Sequence, residues 1–149
     1  MSRGQRGQVM AFIAMALALV VVPVAAYAID AAAVSSAAAA LEEATATAAL
    51  EASQQLDVIG FRTSGALSVD PLAARGVAQA VLAEEVPSAS ITSITARGAE
   101  ITIATHEEVY LPFDFFPEHA VRLQASASAR LAGGYDRPSS RLPLPISTF

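Results

Sequence analysis

Histidine and carboxylate side chains fall together at two places, His106-Glu107-Glu108 and Glu118-His119, and imidazole with carboxylate suits a zinc ion. The spacing argues against such a site. Neighbouring residues on a strand point to opposite faces, so an adjacent His-Glu pair does not converge on one ion. Glu84 and Glu85 form another acidic pair at the end of a helical pattern, where solvent meets them. The chain has no G-x-S-x-G elbow, no glycine-rich phosphate loop and no H-E-x-x-H. No catalytic, cofactor-binding or metal-ligating residue is assigned, and the chain reads as a non-enzymatic protein with no small-molecule substrate.

Composition narrows the class further. The 149 residues include no cysteine and no tryptophan, and all nine basic residues are arginine. Without cysteine there is no disulfide framework and no thiolate metal site. A net charge of −5 argues against nucleic acid, which needs a basic stripe to neutralise its phosphates.

The elements that organise this chain begin with an apolar run. Val9 to Ile29 holds 21 residues without a charge, flanked by Arg3 and Arg6 on one side and Asp30 on the other. As a helix it is roughly 30 Å long, the depth of a bilayer's hydrocarbon core. The next 31 residues, Asp30 to Gly60, contain five acids and no base. By the positive-inside rule residues 1–8 stay in the cytoplasm and everything after Asp30 lies outside, giving a single-pass protein of the plasma membrane. Ala14 and Ala18 stand one turn apart, small enough for a second helix to approach, and Pro23 predicts a kink. A rival reading stays open: Ala26-Tyr27-Ala28 has the spacing that signal peptidase reads, and a cut there would release a secreted binding domain starting at Ile29.

Beyond the span, residues 30–60 are alanine-rich and predict a helix continuous with it. Val34, Ala38, Leu41, Thr45, Ala48, Ala52, Leu56 and Ile59 form its narrow seam, with Val34 and Leu41 candidate assembly contacts. Glu42, Glu43, Glu51 and Asp57 lie off the seam, and Leu50 reads as a stray exposed leucine. Residues 61–132 predict a small α+β domain, with one helix on a three-stranded antiparallel sheet. Asp70-Pro71 opens the helix, whose inward face is expected at Ala73, Val77, Ala80 and Val81. Two strands follow about a turn at Arg97-Gly98, the second with Ile101 and Ile103 on one side. In the third, Val121, Leu123, Ala125, Ala127, Ala129 and Leu131 alternate with polar residues, the pattern of a strand with one buried face. Between the last two strands, Phe113, Phe115 and Phe116 are either plugs under a loop or a contact patch for a partner. Residues 133–149 carry two glycines and three prolines and predict an extended tail.

The residues quoted so far carry a family resemblance. "RGQVMAFIAMALALVVVPVAAYAID" followed by "LEEATATAALEAS" resembles the start of the TadE/TadG-like proteins of the tight-adherence (Flp) pilus. Arg6, Gly7, Gln8, Asp30, Leu41, Ala44, Ala48, Ala49 and Leu50 fit the pattern, and Ala46 stands where an aspartate is usual. The resemblance implies a pilin-like architecture, a lipid bilayer and other pilus or secretion-system subunits as partners, and a role as minor pilin or assembly factor. Prepilin-like members are cut after a glycine and carry a glutamate at the fifth mature residue. A cut between Gly7 and Gln8 would put Phe12 at that position, so the glutamate is missing and an uncleaved anchor is expected.

Overall fold

The computed structural model describes residues 3–113 and 119–132 and has an α+β architecture. Phe115, Phe116, Glu118 and the tail from residue 133 lie outside the described residues. The first element, α1, spans Arg3–Ser53 and continues through Pro23. Alanine-rich sequence favours so long a helix because alanine loses no side-chain entropy on ordering.

The helix stops at Ser53, short of the expected Gly60. Gln54 and Gln55 donate their N–H groups to Glu51 O and Ala52 O in a closing turn, both at 3.2 Å. Leu56 then bridges Val69, the Asp57 N–H donates to Ser68 O at 2.9 Å, and the Asp70 N–H donates to Gln55 O at 2.7 Å. Asp57 also opens a separate short helix, α2 (Val58–Ser64), its Oδ1 accepting from the Gly60 N–H at 2.9 Å. Gly65, at φ +71°, closes α2 in the left-handed conformation that a glycine adopts without strain. The seam consequently fails past Ser53, and Ile59 is 79% exposed.

Helix α3 (Pro71–Glu85) is capped as expected, the Asp70 carboxylate accepting from the N–H groups of Leu72 and Ala73 at 2.9 and 3.2 Å. Its buried face is Ala74, Ala78 and Leu82, with Val77 and Val81 half-buried and Ala73 and Ala80 exposed. The expected face was thus one residue out of phase. Rotated this way, α3 sets its small Ala74 and Ala78 in one core with Ala44, Ala48, Ala49 and Ala52 of α1.

Strands β1 (Ser90–Arg97), β2 (Glu100–Tyr110) and β3 (Ala120–Arg130) form an antiparallel sheet in the order β1-β2-β3. Gly98, at φ +58°, makes the first turn. The register between β2 and β3 is unbroken from Glu100↔Arg130 to Tyr110↔Ala120, whereas β1 carries a bulge between Ile91 and Ser93. Ile101 and Ile103 are fully buried on the inner face, and the inward residues of β3 are half-buried at every second position. The helix against β2 and β3 is the second half of α1, while α3 packs on α1 and reaches β1. Two helices, not the single one expected, therefore cover the sheet.

Candidate functional site

One helix meets two different surroundings. From Val9 to Val22 every side chain of α1 is exposed, Ala14 and Ala18 included, and the helix is long and apolar enough to cross a bilayer. From Leu41 to Ser53 the same helix buries Leu41, Ala44, Thr45, Ala48, Ala49, Ala52 and Ser53 within the chain. Leu41 is thus covered by its own chain and offers no free contact to another subunit. Val34 is half-buried, Leu50 exposed as expected, and Pro23 half-buried.

The changeover falls at Ala26 and Asp30, both buried. The chain leaving β2 returns there: the Phe113 N–H donates to Asp30 Oδ1 at 3.2 Å, and the Leu111 N–H donates to His119 O at 3.1 Å, closing the base of the loop. Asp30 Oδ2 is buried with no hydrogen-bond partner among the described residues. Phe113 itself is 49% exposed, so as a side chain it plugs the core only in part. Ala28 of the signal-peptidase pattern is exposed and helical, while Ala26 is covered. Gly7 and Gln8 lie in the first turns of α1.

The inner face of β2 turns polar toward this junction. Thr105 meets Thr45 of α1, hydroxyl to hydroxyl, at 2.6 Å. Two residues on, the buried Glu107 accepts from Ser88 Oγ at 2.6 Å through Oε1, and its Oε2 has no partner among the described residues. His106 and Glu108 face the other way, as alternation requires. His106 Nδ1 lies 3.0 Å from Thr92 Oγ1. Glu108 accepts from Arg122 at 2.8 Å, and that hydrogen bond, helped by the guanidinium charge, holds its carboxyl below the ordinary value of 4.5. Among the described residues no three His, Cys, Asp or Glu side chains gather where a metal could sit. Depressions on the outer face of the sheet are open and lined by residues such as Thr95, Thr102, Gln124 and Ser126.

Chemically, the arrangement can insert, anchor and pack. Sequence reasoning singled out the apolar run and Asp30 as its boundary. It missed Asp30 as the acceptor that fastens the β2–β3 loop, and it missed the Ser88–Glu107 pair. The partners of these acids lie 83 and 19 residues away in the chain, beyond the reach of any local pattern. No family model, no curated protein and no solved structure matches this chain.

Proposed function

We propose that this protein is a membrane-anchored, non-enzymatic component of a Tad/Flp-type pilus or related secretion system, serving as minor pilin or assembly factor. Its N-terminus lies in the cytoplasm and its α+β head outside the plasma membrane. The supporting observation is the continuity of α1, bare from Val9 to Val22 and covered on one side over Leu41–Ser53, with its first buried residues at Ala26 and Asp30. A helix apolar on every side has a place only in lipid or against other apolar helices. The pilus assignment rests on the resemblance of the Arg6-Gly7-Gln8 opening, the span and the alanine-rich stretch.

The second reading, a secreted binding domain cut before Ile29, draws support from one feature. Every residue of the head's main core cluster, from Ala44 to Ile103, lies after that cut. N-terminal sequencing of the protein extracted from membranes separates the two. The anchor reading expects a start at residue 1 or 2 and resistance to high-salt washing, whereas a start at residue 8 would mean prepilin-type processing. A soluble mature chain starting at Ile29 would overturn it.

A further inference from the structure

The bond between Asp30 and Phe113 fixes a height. Asp30 is the first residue past the apolar run, so the Phe113 backbone, 3.2 Å from its carboxylate oxygen, is held within one short side chain and one hydrogen bond of the level at which α1 leaves hydrocarbon. The headgroup layer that begins there is about 5–8 Å thick on each side of a bilayer. Three exposed aromatic residues flank this junction along the chain. Tyr27, in the last turn of the span, is 58% exposed, Phe113 is 49% exposed, and Tyr110, at the end of β2, is 73% exposed. Tyrosine, an apolar ring with a polar hydroxyl, is favoured at that depth, and Phe113 adds apolar surface beside it.

We infer that the base of the β2–β3 loop is a second membrane contact, seating the head on the outer-leaflet headgroup layer through Phe113 and Tyr110. The occupant is lipid because the surface continues directly from the exposed apolar run of α1. This inference rests on the anchor reading above. It adds that the head stands upright, with Tyr110 and Phe113 at the membrane and α2 far from it. From Asp30 to Ser53 the helix rises about 35 Å, which carries α2 well beyond the headgroups.

The chain has no tryptophan, so a single introduced one reports its own surroundings. Full-length Phe113→Trp, Tyr110→Trp, Leu19→Trp and Phe61→Trp proteins are reconstituted into phosphatidylcholine vesicles, with and without lipids carrying a quencher at headgroup depth or along the acyl chain. Expected are loss of emission to the headgroup quencher at position 113 or 110, loss to the acyl-chain quencher at position 19, and no loss at position 61. Tyr110→Trp keeps the test open should Phe113→Trp disturb the loop. Quenching at 19 with none at 113 or 110 overturns the inference and leaves the anchor standing. Absence of quenching at 19 overturns the anchor itself. Equal quenching at 61 and 113 means a head lying flat, and overturns the upright seat.

Discussion

The hydroxyl of Thr45 stands 2.6 Å from the Leu41 carbonyl oxygen and 2.6 Å from the hydroxyl of Thr105. It has one proton. Because a carbonyl can only accept, that proton goes to Leu41, and Thr105 must donate to Thr45. The two side chains are both buried, so the direction has energetic consequences. Thr45→Val leaves the Thr105 O–H without its acceptor and is expected to destabilise the head by about 1–3 kcal/mol, the desolvation cost of an orphaned donor. Thr105→Val leaves Thr45 still bonded to Leu41 and should cost less, about 0.5–1.5 kcal/mol. The double variant should lose less than the sum, because the residues share one interaction. Urea unfolding of the detergent-solubilised chain, followed by circular dichroism, gives all three values. A Thr105→Val loss larger than that of Thr45→Val would reverse the assigned direction.

Small side chains decide how closely the elements of the head approach. Ala44, Ala48, Ala49 and Ala52 of α1 and Ala74 and Ala78 of α3 are all buried, and Ile101 and Ile103 of the sheet belong to the same cluster. Ala48→Leu adds three carbons at a fully buried position, and about 1–3 kcal/mol of stability should be lost to overpacking. Ala14→Leu, on the bare part of the same helix, should leave the unfolding midpoint of the head unchanged, since leucine is nearly as good a helix former. An equal loss from both would mean that head and span do not differ in packing. This reliance on alanine also explains what was legible beforehand. The alternation of β3, the Asp70-Pro71 helix start and the Arg97-Gly98 turn could be read directly, because each uses residues with strong local preferences. The face of α3 could not be phased correctly, because its five alanines, Ala73, Ala74, Ala78, Ala80 and Ala83, fall on both faces and give little contrast between inside and outside. The end of α1 was also hidden. Beyond the apolar run the sequence has no glycine before Gly60, and the stop coincides with a bridge from Leu56 to Val69 across the chain. The junction at Asp30 was half legible, as a boundary of the apolar run but not as a hydrogen-bond acceptor.

At the scale of the whole molecule, the two halves of α1 are stabilised by different means. The main core cluster starts at Ala44, and its partners come from Val69 onward, so no residue of that cluster lies in residues 1–28. A polypeptide beginning at Ile29 is therefore expected to be water-soluble and to unfold cooperatively on heating. Losing the Ala26 contact and the preceding helical turns weakens the first turns of what remains. If that costs about 1 kcal/mol, the midpoint falls by about 2–8 °C relative to the full chain, the span for domains of this size. Circular dichroism during a thermal scan measures this, and aggregation or a broad, non-cooperative loss of signal would show that the span holds the head together. Retained folding at Ile29 does not favour the secreted reading, because an independent head is also what a lipid anchor requires. A head whose core depended on the span would have to rearrange whenever the helix moved in the bilayer. On the anchor reading, a head whose main core cluster begins only at Ala44 can keep its packing while the helix moves, α1 rising about 35 Å from Asp30 to Ser53.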